Sequence, residues 1–477
     1  MKKFAIFSSI FALLFGSSCG SKTESTGNVL DLTPNDTTSV NHPEWARDAV
    51  IYEVNMRQFT PEGTVKAFAP QLDRLKDLGA DVLWFMPVHP ISEKNRKGTL
   101  GSYYAVKDYK GFNPEYGTVE EFAELVKSAH DKGFKVIIDW VANHTGCDNA
   151  WVTEHPDWYV KDENGKMVGP YDWTDTYKLD YNNPEMRAAM LDALKYWVKE
   201  IGVDGFRCDV AGEVPTDFWD DARQQLQAIN PDIFMLAEAS KPELQKAAFD
   251  AGYNWPMKDL WSAIAATSGQ YTFAKEGEQP RTFDPATALD IDSLLVDQAK
   301  EYPGDAFLMN MITNHDLNSW EGTEFERLGN LQGAFAVLSY TLPGMPLIYT
   351  GQETGMNRAL EFFEKDEAPQ WEPRNDYFTF YQKLNDLKHS QPALKAGTAG
   401  GEMVRYATTD TDVYAFSRTA DGKTVTVIVN LGADEAPVEF TAGAPAIGAE
   451  DIDVFTGEAA ALPATLAPGA YFVAATK

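Results

Sequence analysis

The stretch VDGFRCDV, Val203 to Val210, decides the fold. It is an apolar run broken by Arg207 and Asp209, two residues apart. On an extended strand those two side chains face one side and Cys208 faces the other. A carboxylate buried at such a place is costly unless it is paired or solvated. Comparable runs lie on either side in the chain. FKVIIDWVANH (Phe134 to His144) carries Asp139, Asn143 and His144, IFMLAEA (Ile233 to Ala239) carries Glu238, and AFLMNMITNHD (Ala306 to Asp316) ends in His315 and Asp316. Helical segments separate them, so the strands are expected to be parallel. Polar residues gathered at the C-terminal ends of parallel strands are where a (β/α)8 TIM barrel places its active site.

Working outward, AVIYEVNMRQF (Ala49 to Phe59) and ADVLWFMPVHP (Ala80 to Pro90) read as the first two strands, and GMPLIYTGQE (Gly344 to Glu353) as the last. Amphipathic helices are predicted at Val65 to Gly79 and Val119 to Gly133, each closing on glycine, and again from Pro184 to Gly202. The helical order lapses between 144 and 184, a Trp-, Tyr- and Asp-rich stretch too long for an ordinary connection, so a small inserted domain is expected there. From 396 to 477 short alternating runs such as DVYAFSR and KTVTVIVNLG replace the helical period. They predict a C-terminal antiparallel β-sandwich domain, with the barrel spanning 43–395.

The 477 residues carry a formal net charge of -30, which argues against nucleic acid or anionic lipid headgroups as partners. The 12 Trp and 20 Tyr suit a neutral sugar, although charge of this sign also serves plain solubility. Lys2 and Lys3 precede an apolar run, Phe4 to Phe15, too short to span a bilayer but suited to a signal peptide. Gly16, Ser17 and Ser18 lead to Cys19, a pattern that resembles a bacterial lipoprotein signal, with Gly16 where leucine is preferred. The expectation is a signal peptide at 1–18, a lipidated Cys19 and a flexible tether over 19–42, giving an exported, periplasmic or surface protein; ordinary secretion is the alternative. The other two cysteines, Cys147 and Cys208, do not make a disulfide framework.

DWVANH, GFRCDVAGEV, MLAEA and TNHD, in this order and spacing, resemble the four signature segments of the α-amylase family of glycoside hydrolases. GSYYAVKDY with NPEYGT, and GMPLIYTGQE, are similar to two further family segments, so the resemblance runs from about Trp45 to the end of the chain. It implies a barrel with a domain B after the third strand and a C-terminal β domain. By resemblance, Asp209 matches the nucleophile, Glu238 the acid/base, and Asp316 the third carboxylate. Arg207 would keep Asp209 ionised, His144 and His315 would bond sugar hydroxyls, and Tyr104 would stack on the sugar at the cleavage site. Asp139 looks like a structural partner deep in the site. Arg358 and Asp366 are candidates for substrate contact, with surface roles on a long loop as the alternative.

A lone aspartate at a strand end is commonly a helix cap or turn residue. Three carboxylates with Arg207 and two histidines at matching strand ends need chemistry. Trp140, Trp151, Trp158 and Trp173 are expected, for the most part, to pack rather than to bind sugar.

Where many family members carry Lys-His after the nucleophile, this chain reads Val210, Ala211, Gly212, Glu213. That is nearer to cyclomaltodextrinases and neopullulanases. Asn143 matches the family's calcium ligand and Asp175 or Asp180 could add an oxygen, so Ca2+ is possible while no other cofactor is required. The expectation is a retaining α-glucan hydrolase acting on α-1,4 bonds of malto-oligosaccharides. An α-glucosidase or transglycosylase on the same scaffold is the alternative, and a catalytically silent glycan-binding lipoprotein is the alternative from another class.

Overall fold

The computed structural model describes residues 27–38, 40–275 and 277–477. The signal peptide and Cys19 lie outside the described residues. Eight parallel strands close a barrel in chain order. They are β1 (Ile51–Val54), β2 (Val82–Phe85), β3 (Lys135–Trp140), β4 (Gly205–Cys208), β5 (Phe234–Ala237), β6 (Ala251–Tyr253), β7 (Phe307–Asn310) and β8 (Met345–Tyr349), the last pairing with β1.

The strands read as continuous apolar runs because both faces are covered. One face, including Tyr52, Leu83, Phe85, Ile138, Phe206 and Cys208, packs with the helices. The other, including Ile51, Val82, Trp84, Phe234, Leu236 and Met309, fills the barrel. Cys208 thus sits in the helix layer, and Arg207 beside it turns inward. At Gly205 an added Cβ would lie 1.8 Å from the carbonyl oxygen of Phe234, so the approach of β4 to β5 requires glycine.

Two local departures have simple causes. The helix expected over Val65 to Gly79 is two helices, Val65–Phe68 and Gln71–Leu78, parted at Pro70. Strand β6 was not among the expected strands, because Ala-Gly-Tyr carries no β-branched residue and only three residues pair.

After β3 the chain leaves the barrel and returns at the helix Pro184–Tyr196. The excursion holds a two-stranded antiparallel sheet, His144–Gly146 against Thr176–Lys178. The C-terminal part forms an antiparallel sheet from β9 (Glu402–Thr408), β10 (Val413–Ala420), β11 (Lys423–Asn430), β12 (Asp451–Asp453) and β13 (Tyr471–Thr476). Tyr406, Ile428 and Phe472 on its face bury Ala436 and Leu466 of a second, two-stranded sheet, giving the sandwich core. Arg418 ties this domain to the barrel by donating to the Thr341 carbonyl at 3.2 Å.

The tether expected over 19–42 is corrected for its described part. Asn28–Val29 pairs antiparallel with Val404 and Arg405, and Leu30 and Leu32 pack on the core. The Asp36 carbonyl accepts from Gly304 N–H at 2.8 Å, and Nδ1 of buried His42 lies 2.8 Å from Asp250 Oδ1. The partners are hundreds of residues away, so no local periodicity announces them.

Candidate active site

Strands β3, β4, β5 and β7 bring Asp139, Arg207 with Asp209, Glu238, and His315 with Asp316 to one mouth. Arg207 is fully buried and organises them. Its Nη1 donates to Asp139 Oδ1 at 2.9 Å and to Asp209 Oδ1 at 3.1 Å, while Nη2 lies 3.0 Å from Glu238 Oε2. Its Nε donates to the Tyr253 hydroxyl at 3.1 Å, and its carbon lies 5.1 Å from the Trp84 ring centre. Burial opposes the guanidinium charge, and the charges of Asp139 and Glu238 more than restore it.

One cation cannot neutralise all three carboxylates, of which Asp139 and Asp209 are buried. Burial, partly offset by Arg207, pushes Asp139 up to about 6. Burial and the Glu238 charge hold Asp209 well above the usual carboxylate range. The cluster therefore resists carrying all of its negative charges at once. Among the described residues Asp209 Oδ2 has no hydrogen-bond partner, so one oxygen is clamped and the other is free.

Val210 follows Asp209 with φ +35°, a left-handed conformation that a β-branched residue seldom adopts. That turn aims the Val210 N–H at Glu238 Oε2, 2.7 Å away. The strain thus fixes the second carboxylate relative to the first. No side-chain motif could have shown this, since the contact is made by backbone.

A second network begins at Glu53, at the end of β1. Its Oε1 lies 2.5 Å from His315 Nδ1, and His315 Nε2 lies 2.6 Å from the Tyr104 hydroxyl, which donates to Asp139 Oδ2 at 3.1 Å. Burial disfavours the imidazolium, but the charges of Asp316 and Glu53 outweigh it and raise His315 to about 9. Asp316 Oδ2 lies 3.4 Å from His315 Nε2, on a side chain 36% exposed. Glu53 was missed in the sequence because it sits two residues inside the first strand, with its partner more than 250 positions away.

His144 is buried, and burial lowers its pKa to about 3, keeping the ring neutral. The Asn143 side-chain nitrogen lies 3.4 Å from its Nδ1, which assigns the hydrogen to Nε2; that atom has no partner among the described residues. The ring also faces the Tyr104 backbone, whose hydrogen bond acts to raise its pKa against the larger effect of burial.

The residues near Asn143 do not fit a calcium ion, which takes six to eight oxygens. Lys97 Nζ lies 3.3 Å from Asp175 Oδ1, and Asp180 Oδ1 accepts two bonds from Asn182, at 3.0 and 2.8 Å. Lys241 donates to the Gly212 carbonyl at 2.6 Å, and Lys178 Nζ lies 3.5 Å from Glu213 Oε2. Among the described residues no group of three or more His, Cys, Asp or Glu could hold a metal. Lysine ammonium groups stand against the Asp175, Gly212 and Glu213 oxygens.

The structure engages Arg358 within its own loop, Nη1 lying 2.6 Å from Asp366 Oδ1 and Nη2 donating to the Glu367 carbonyl at 2.6 Å. Trp140 and Trp158 are buried, and Trp151 packs between Tyr109 and Trp158. Trp173 differs, its ring standing edge-on 5.3 Å from His144.

Known proteins share this barrel. The family model for the α-amylase catalytic domain matches residues 15–371. The chain is 28% identical to α-amylase MalA of Haloarcula japonica over 87% of its own length, spanning 59% of that protein. It is 27% identical to the cyclomaltodextrinase of Thermoanaerobacter pseudethanolicus, covering 81% of this chain and 71% of that one. Among solved structures, an α-amylase from Lactobacillus plantarum superposes with a TM-score of 0.76 at 30% identity, over 91% of this chain and 99% of that chain. A noncanonic maltogenic α-amylase, AmyB, from Thermotoga neapolitana gives 0.73 at 27% identity, over 90% and 96%. Strand-end carboxylates gathered on one arginine, a closed barrel and a family match over most of the chain lead to one conclusion: this protein is an enzyme of the α-amylase family of glycoside hydrolases.

Proposed function

We propose that the enzyme is a retaining hydrolase of α-1,4-glucosidic bonds in starch-derived malto-oligosaccharides, with Asp209 as nucleophile and Glu238 as acid/base. The observation that carries this reading is the division of labour on Arg207. It clamps Asp209 Oδ1 and leaves Oδ2 free, while Glu238 Oε2 is held by the Val210 N–H. Cyclomaltodextrinase and maltogenic α-amylase stand among the relatives, which supports maltodextrin-type substrates.

In the first step Asp209 Oδ2 attacks the anomeric carbon as its bond to the glycosidic oxygen breaks. Glu238 donates a proton to the departing oxygen, which leaves as a hydroxyl. In the second step water gives a proton to Glu238 and attacks the anomeric carbon, releasing Asp209. Two inversions retain configuration, and the net change is glycoside plus water giving two saccharides. Asp316 and the His144 N–H would hold hydroxyls of the sugar at the cleavage site.

The test is a product profile from maltoheptaose for the parent and Asp209→Asn. Short malto-oligosaccharides from the parent alone support the reading. A glucan-binding protein without chemistry would yield none from either, and products longer than the substrate would move the assignment to transglycosylation. We also propose export with a lipid anchor at Cys19, which labelling with a fatty-acid precursor in a bacterial host would test, with Cys19→Ala as the unlabelled control.

A further inference from the structure

At the foot of the barrel, where the strands begin, a cavity of about 510 Å3 opens between three parts of the chain. Residues 29–34 form one wall. The helix Asp290–Glu301, with the turns leading into β7 and β8, forms the second. Residues 397–403 and Arg418 of β10 form the third. Leu30, Leu32, Leu295, Tyr302, Leu308 and Met403 give it apolar surface.

Arg418 is 2% exposed, and among the described residues no carboxylate pairs with it. Its Nε donates to the Gly401 carbonyl at 3.3 Å and its Nη1 to the Thr341 carbonyl at 3.2 Å. Nη2 has no hydrogen-bond partner among the described residues. It lies against Gly400, where an added Cβ would collide with it. Arginine is almost never buried this fully unless paired, because the lost hydration of its charge goes uncompensated. Burial accordingly lowers its pKa to about 10. Lys388 repeats the pattern nearby. Fully buried, it donates to the Gly344 carbonyl at 2.9 Å and to that of Leu394. Burial, and after it the Arg418 charge, lowers Lys388 to about 7, the fields of Asp48 and Asp81 offsetting this in part.

The carboxylates bordering the cavity do not supply the missing charge. Asp305 is engaged by Arg47 through both oxygens, at 2.8 and 2.9 Å, and by the Thr398 N–H at 2.8 Å. Asp31 and Glu402 are exposed at the edge.

We propose that this cavity binds a small monocarboxylate with an apolar body, its carboxylate on Arg418 Nη2 and its hydrocarbon part against Leu295, Tyr302 and Met403. The one free nitrogen suits a carboxylate oxygen, whereas a phosphate dianion asks for more donors than Nη2 offers. The volume is in the range that holds small organic ligands. An occupant would touch the N-terminal segment, the barrel and the β domain at once. The site lies at the opposite end of the barrel from Asp209, so the proposal does not depend on the hydrolase reading.

The experiment is calorimetric titration of the parent, Arg418→Met and Gly400→Ala with hexanoate, hexanamide and inorganic phosphate. The parent should bind hexanoate at least about tenfold more tightly than hexanamide or phosphate. Each variant should lose at least about tenfold in hexanoate affinity, the first by removing the charge and the second by setting a methyl group against Nη2. Gly400 has φ -76°, which alanine adopts freely, so this variant tests the site even where Arg418→Met does not fold. Melting temperatures report which variants are folded. No hexanoate binding by the parent, equal binding of hexanamide, or parent-like affinity in a folded variant would overturn the proposal. Phosphate binding as tight as hexanoate would overturn the choice of a ligand with an apolar body.

Discussion

Glu53 and His315 meet inside the mouth of the barrel, Oε1 to Nδ1 at 2.5 Å, with both side chains buried. They come from β1 and from the end of β7, strands that do not pair with each other. A protonated ring would donate to Glu53 through Nδ1 and to the Tyr104 oxygen through Nε2, leaving the Tyr104 hydrogen for Asp139. One proton on His315 therefore sets the direction of every hydrogen bond along this line, and so orients Tyr104.

The pH dependence follows from that pair. The folded pKa of His315, about 9, lies above its ordinary 6.5. The stabilisation from its charge is complete below about pH 6.5 and is lost as pH rises through 9, roughly 3 kcal/mol in all. In Glu53→Gln that loss should shrink, and the alkaline limb of kcat/KM should move to lower pH. Melting temperatures between pH 6.5 and 9 check this; a parent-like slope in the variant would contradict it.

Removing the acid should be selective. Glu238→Ala is expected to lower kcat on maltoheptaose at least about a thousandfold. An aryl maltoside whose phenolate leaves without a proton should lose far less in its first step. A glycosyl adduct should then accumulate, and peptide mass spectrometry should place it on Asp209. An adduct on another residue would reassign the nucleophile.

Arg207→Met strands Asp139, Asp209 and Glu238 in a buried site without their cation. The cost should be about 3 to 5 kcal/mol at pH 7. It should diminish as pH falls through 6 and the carboxyls protonate, since a carboxyl with a raised pKa destabilises the fold only when it is forced to ionise. Denaturant unfolding at pH 7 and pH 5 measures both values. Arg207→Lys should recover part of the stability and little of the activity, because an ammonium cannot span two carboxylates as a planar fork does.

With lysine ammonium groups at the junction near Asn143, a chelator should leave the enzyme unchanged. Thermal unfolding in EDTA and in excess CaCl2 should give midpoints within about one degree, while a bound structural ion would add several kcal/mol at saturation and shift the midpoint visibly. Lys178→Ala should lower it in both solutions alike.

Much of this protein could be read along the chain. Seven of the eight barrel strands are apolar runs, and their polar residues stand at or near the C-terminal ends. Local periodicity and strand-end position are properties of short segments. The pairing of Arg207 with Asp209 is of the same kind, since two residues apart on a strand means one face.

What the tertiary structure decided involves partners far apart or carried by backbone. Strand β6 is three residues of weak propensity, made a strand by β5 and β7 on either side. Residues 28–42 look like a linker until Val404 and Asp250 are brought beside them. Glu53 and the Val210 N–H carry no motif; closure of the barrel sets Glu53 against His315, and strain aims Val210. Side-chain type and spacing determine which chemistry is available, whereas the encounter of groups hundreds of residues apart exists only once the eight strands have closed.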